Sequence, residues 1–189
     1  MTPREIIRKV RMAPEIRDLS EAKVSDYDIV DALNSVLNML YNELGSFSND
    51  LLTRTETVNL THGEAELPED FLQVVEVYRG DTVYAPVYKG KAVSPYTYTI
   101  MNNIIYSDAD RLTIDYRPQF EEVTMDALDD DMDYPIYFKE FIKKLVIMAL
   151  NGTLEMPEGV AYLRDTVKNL TANRGYTRLD IRGTWSEAL

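Results

Sequence analysis

Residues 54–78 read RTETVNLTHGEAELPEDFLQVVEVY, and this stretch decides the fold. Thr55, Thr57, Val58 and Leu60 are β-branched or apolar residues running into His62-Gly63, a turn pair. Glu64-Ala65-Glu66-Leu67 alternates beyond it, so the spacing predicts a hairpin. Residues 71–78 predict a further strand, stopped by Arg79-Gly80-Asp81. Downstream, strands are expected over residues 82–88, 96–100, 103–106 and 112–116, all rich in tyrosine and β-branched side chains. Eight of the 13 tyrosines lie between positions 78 and 134. Short strands this close in sequence favour antiparallel pairing over β-α-β units.

On either side of this block the period becomes helical. Thr2-Pro3-Arg4-Glu5 spells a capping box with proline at the first helical position, followed by Ile6, Ile7 and Val10 as far as Pro14. Ser25-Asp26-Tyr27-Asp28 opens a second helix, whose Ile29, Val30, Leu33, Val36, Leu37, Leu40, Tyr41 and Leu44 recur by threes and fours, with Gly45 as the stop. After an acidic loop that ends at Asp133 and Pro135, Phe138, Phe141, Ile142, Leu145, Val146 and Ala149 restore the helical stripe up to Asn151-Gly152. Pro157 starts a last helix carrying Val160, Leu163, Val167 and Leu170. The expected fold is α+β: a helical bundle with an antiparallel β insertion between its second and third main helices, then an extended C-terminal arm. The boundaries are residues 1–50 for the N-terminal helices, 51–135 for the β-rich insertion with its acidic loop, 136–171 for the C-terminal helices and 172–189 for the arm.

Composition narrows the chemistry. Among 189 residues, 32 acids face 20 bases, a net charge of −12. Residues 51–135 hold 17 acidic and 6 basic groups, or −11, whereas residues 136–189 hold 6 and 8, or +2. Clustered Lys and Arg are what phosphate-backbone binding requires, so free-standing DNA binding is disfavoured. There is no cysteine, which excludes a disulfide framework, a thiolate metal site and a cysteine nucleophile. His62 is the only histidine, so no multi-histidine metal site forms within one chain. No stretch approaches the ~20 apolar residues of a membrane span. These features lead to a soluble assembly protein: not an enzyme, with no cofactor, no metal and no membrane.

The individual candidates mostly read as architecture. His62 sits at a turn tip and lacks the orienting partner a general base needs. The run from Asp126 to Asp133, with Asp129, Asp130 and Asp131 at its centre, lacks the glycine and closing glutamate of an EF-hand. It reads as a solvated loop whose Asp133 caps the next helix, or as acids lining a channel that DNA slides past without sticking. Carboxylate pairs such as Glu121 and Glu122, or Asp129 and Asp131, lie on a loop where spacing fixes no glycosidase geometry. Arg79-Gly80-Asp81 falls where a hairpin turn is expected. Asn59-Leu60-Thr61 and Asn169-Leu170-Thr171 match glycosylation acceptors in a chain with no expected secretory signal. Gly90-Lys91 and Asn151-Gly152-Thr153 lack the P-loop spacing. The tyrosine-rich strands are a candidate stacking platform, which keeps a carbohydrate- or peptide-binding module open as an alternative. The last segment differs: Arg174, Tyr176, Arg178, Leu179, Ile181, Arg182 and Trp185 place hot-spot residue types in a stretch broken by Gly175 and Gly183, as a docking arm would.

Several phrases resemble the head-to-tail adaptor (connector) proteins of tailed bacteriophages. They are the amphipathic helix of residues 25–44 followed by strands, Glu66-Leu67-Pro68-Glu69-Asp70-Phe71-Leu72 leading into residues 74–78, Leu112-Thr113-Ile114-Asp115-Tyr116 followed by Arg117-Pro118, and the acidic loop before Pro135 with a helix opening at Tyr137. The resemblance spans roughly residues 20–152. It implies a structural virion protein in the neck between capsid and tail, made in the host cytoplasm and assembled with itself as a ring of about twelve copies. Its partners would be the portal protein on one face and a tail or nozzle protein on the other, with DNA passing through the channel without specific binding. By position, residues 172–189 would be the portal-docking arm, and on the electrostatic reading Asp129, Asp130 and Asp131 would be channel-facing acids.

Overall fold

The computed structural model describes residues 1–17, 24–47, 50–88, 94–132, 134 and 136–172. The chain divides into two compact units, one made of residues 49–120 and the other of the segments on either side. The fold is α+β, with five α helices and two four-stranded sheets. This corrects the expected plan of a helical bundle with a single antiparallel β insertion. The strands sort into two sheets, one of them containing a parallel pair. The extended arm of that plan lies outside the described residues.

In the helical unit, α1 (Pro3–Arg11) starts at the expected capping box: Thr2 Oγ1 accepts from the Glu5 N–H at 3.3 Å and Glu5 Oε2 accepts from the Thr2 N–H at 3.4 Å. It buries Ile6, Ile7 and Val10. A single turn, α2 (Pro14–Arg17), follows. The long α3 (Asp26–Phe47) is capped by Ser25, whose Oγ accepts from the Asp28 N–H at 3.2 Å while Asp28 Oδ2 accepts from the Ser25 N–H at 2.6 Å. All eight apolar positions predicted for it are buried. The helix runs through Gly45 to Phe47, because one glycine costs only about 1 kcal/mol in a helix interior and does not break it. The next helix, α4 (Lys139–Leu150), is preceded by a 3-10 turn at Ile136–Phe138, and α5 (Pro157–Ala172) begins at the predicted proline. The expected cap Asp133 lies outside the described residues. Gly159 in the first turn of α5 lets that helix lie against the preceding turn: a Cβ there would meet the carbonyl oxygens of Thr153 and Leu154 at 2.4 Å.

The other unit holds β1 (Arg54–Asn59), β2 (Glu64–Glu66), β3 (Phe71–Arg79), β4 (Thr82–Val83), β5 (Ala85–Pro86), β6 (Thr97–Met101), β7 (Ile104–Ser107) and β8 (Arg111–Pro118). One sheet has the order β1-β8-β3-β4 and the other β2-β7-β6-β5. The predicted hairpin at His62-Gly63 is only half right. The turn is tight, with φ of +57° and +84° and reciprocal bonds between Thr61 and Glu64. Yet β1 pairs with β8 and β2 with β7, so the turn passes the chain from one sheet to the other. The expected strand over residues 82–88 likewise divides at Tyr84. The Tyr84 N–H reaches back to the Val77 carbonyl, while the Ala85 N–H donates to the carbonyl of Tyr96, the residue before β6, and β5 runs parallel to β6. A true two-residue hairpin joins β6 to β7 through Asn102-Asn103, both at positive φ. Val58, Val77, Leu112, Ile114 and Tyr116 from the first sheet and Tyr98 and Ile105 from the second form one core with Leu67 and Tyr84. Each such aliphatic side chain contributes about 1.5–3 kcal/mol by leaving water.

Candidate functional site

The acidic loop is held, not loose. At its start Asn34 of α3 donates to the Val123 carbonyl at 3.0 Å and accepts from the Val123 N–H at 2.8 Å. Further on, the Arg4 N–H donates to the Leu128 carbonyl and the Met132 N–H to the Met1 carbonyl, each at 2.9 Å. The Arg4 guanidinium grips Asp129 with two donors, Nε at 2.5 Å and Nη2 at 2.9 Å. This hydrogen-bonded cation holds the Asp129 carboxyl below its usual range. The Met1 amino group lies 2.6 Å from Asp131. Of the three acids expected on a channel wall, Asp129 and Asp131 therefore have partners, although both remain largely exposed at 74% and 82%. Asp130 is exposed and has no side-chain partner among the described residues. Two more pairs brace α1 against α4: Lys139 with Glu5 at 2.8 Å, and Lys9 with Glu140. Each partner lowers the acid it faces.

The tyrosines of the β unit divide between core, half-buried and exposed positions. Tyr84, Tyr98 and Tyr116 are buried, leaving Tyr88 and Tyr96 as the strongly exposed ones near the edge strand β5. The Tyr96 ring meets Tyr84 edge-on at 5.9 Å. Tyr116 donates its hydroxyl to Asp70 Oδ1 at 2.9 Å, and Arg54 pairs with the other oxygen of Asp70. Burial, then the Asp70 hydrogen bond and charge, pushes the Tyr116 phenol up to about 12. The phrase Glu66-Leu67-Pro68-Glu69-Asp70-Phe71-Leu72 thus serves as a corner of the β unit, with Leu67 buried in the core and Asp70 fastening β1 and β8.

Arg79-Gly80-Asp81 forms the turn between β3 and β4, with Gly80 at φ +58°. Arg79 is drawn 2.7 Å from Asp110 across an open groove also lined by Arg111 and Thr113. His62 is exposed at its turn tip. Among the described residues no group of three or more His, Asp or Glu side chains could hold a metal ion, and no helix is long and apolar enough to cross a membrane. The docking-arm residues Arg174, Tyr176, Arg178, Leu179, Ile181, Arg182 and Trp185 lie outside the described residues. Neither a protein-family model nor a curated protein matches the sequence.

Two features escaped the sequence reading. Arg4 clamps a loop 125 positions away, a separation over which single-sequence patterns carry no signal. Leu72 and Val75, whose apolar character suggests burial, are exposed because two bulges in β3 turn them out of the core.

Proposed function

We propose that this chain is a structural subunit of an adaptor ring joining portal and tail in a tailed-bacteriophage virion, where it sits in the neck after synthesis in the host cytoplasm. The observation that carries this reading is the braced acidic loop. Asp129, Asp130 and Asp131 are exposed on a segment tied to α1 and α3, where Arg4 and the Met1 amino group offset Asp129 and Asp131, and Asp126 and Asp130 stand beside them as further exposed acids, a fixed array of net negative charge. Repeated around a ring, such an array repels a DNA backbone and keeps it sliding. The ring would bind portal through residues 172–189, with Trp185 as the anchor, and a tail or nozzle protein through its other face. Nothing in this role requires catalysis or a cofactor.

The alternative, a carbohydrate- or peptide-binding module, needs several tyrosines on one open surface. Burial of Tyr84, Tyr98 and Tyr116 leaves it the exposed Tyr88 and Tyr96 and the half-buried Tyr78 and Tyr106, a smaller platform than the composition suggested. Cryo-electron microscopy of the particle separates the two readings. An adaptor gives a closed ring of this chain between portal and tail, with the acidic loop near the lumen. Particles complete without it, or a chain bound to glycan with no ring, would contradict the proposal.

A further inference from the structure

We infer that the tyrosine corner at the β5 edge of the second sheet docks on the β2 edge of a second copy of this chain. The inference rests on the ring reading and names the contact that would link one copy to the next. Ser94 to Thr97 form a four-residue turn closed by the Thr97 N–H on the Ser94 carbonyl at 3.1 Å. Pro95 takes the second position and Tyr96 the third, at φ +62°. A type II turn puts glycine at that left-handed third position, and a bulky side chain there is strained. Hydrogen bonds hold the strain in place. Thr97 Oγ1 accepts from the Ser94 N–H at 2.8 Å and donates to the Ser94 carbonyl at 2.6 Å. The outcome is a ring set edge-on against Tyr84 on a residue that stays 61% exposed. Tyr88, two residues past β5, is 85% exposed, and Val83 of β4 is 58% exposed. Backbone strain of this kind persists where it serves a contact, and tyrosine is a frequent anchor of protein interfaces.

Charge names the occupant. From Thr82 to Ser107 the chain holds Lys89, Lys91 and no acid, while the rest of it holds 32 acids and 18 bases. The stretch is thus +2 on a molecule that is −14 elsewhere. Within the second sheet, of order β2-β7-β6-β5, the exposed acids Glu64 and Glu66 stand on β2, at the edge opposite β5. One edge is acidic; the other is acid-free and aromatic. Two copies that each carry −12 repel, and they approach at least cost where these unlike edges meet. A two-fold contact would instead set +2 against +2. Opposite edges of one sheet meeting head to tail make a heterologous contact, which repeats and closes as a ring.

The test is photo-crosslinking of the full-length chain with p-benzoylphenylalanine in place of Tyr88, irradiated alone and on purified portal rings. The expected products are covalent oligomers whose adducts map beside Glu64 and Glu66 of another copy. A chain that also carries Glu64→Lys and Glu66→Lys should lose about tenfold in yield, as removing an interface anchor does. Asparagine tolerates the left-handed region, so Tyr96→Asn should lower the yield likewise without lowering the thermal midpoint. Should Tyr96→Asn melt early, the charge reversal at the two exposed glutamates decides alone. The inference is overturned by no adduct between copies in either condition, by adducts within residues 82–107 of another copy, or by full yield after charge reversal. Rings on portal without these adducts remove this contact and leave the adaptor reading standing. These adducts without portal binding support the contact and remove the adaptor reading.

Discussion

The two units are secured in different ways. In the helical unit, segments far apart in sequence are fastened by charge at the surface: Arg4 to Asp129, Lys139 to Glu5, Lys9 to Glu140, Arg11 to Asp26 and Arg164 to Glu43. In the β unit the fastening is mainly internal, through a shared core and the buried Tyr116 hydroxyl on Asp70, with the Arg54–Asp70 and Arg79–Asp110 pairs added at the surface. Exposed ion pairs are individually weak and screened by salt, so they orient elements that apolar burial already holds. A buried phenol bonded to a carboxylate resists salt. The contrast places the salt- and acid-sensitive part of the molecule at the acidic loop, the surface proposed to face a channel.

The largest expected effects are shared and test whether each unit has a packed core. Leu33→Ala in α3 and Ile114→Ala in β8 should each cost about 2–5 kcal/mol in denaturant unfolding, since both side chains are fully buried. A loss below about 1 kcal/mol at either site would mean that unit lacks a tight interior.

The next separates the β unit. Tyr116→Phe removes a buried hydroxyl bonded to a carboxylate and should cost about 1.5–3 kcal/mol, with little change in high salt. Folding raises the Tyr116 phenol above its ordinary value of 10.0. Its contribution is therefore complete below pH 10 and fades as pH climbs toward 12. Thermal melts across that range should show the wild type losing more stability than Tyr116→Phe.

The smallest effect belongs to the helical unit. Arg4→Ala should barely move global unfolding yet speed hydrogen exchange at Leu128 to Met132, and salt should reproduce the change in the wild type. Asp129, Glu5 and Glu140 all titrate below their ordinary values because of their cationic partners. Their stabilisation is full above the ordinary carboxyl range near ~4 and is lost as pH falls through the lowered values. Exchange at the loop should rise there first. An Arg4→Ala variant with the same acid profile as wild type would show that the clamp does not brace the loop.

Sequence and structure agree where one local pattern decides the outcome. The helix of residues 25–44 was legible because eight apolar residues on a 3.6 period admit only one buried face, and the capping box at Thr2 because its partners are three residues apart. Strand positions were also readable, but strand partners were not. His62-Gly63 specifies a tight reversal without saying whether the chain returns to the same sheet, and it does not. Tyr84 reads as one more strand residue, though it is where the chain changes sheets. The acids of the loop were visible, whereas the cation that orders them lies 125 positions away.

The central claim is assembly on portal, and native mass spectrometry of the full-length chain mixed with purified portal rings tests it most directly. An adaptor predicts one saturating complex with a fixed whole number of copies per portal ring, weakened by Trp185→Ala. Free portal and free chain at saturating concentrations, with no complex between them, would contradict it.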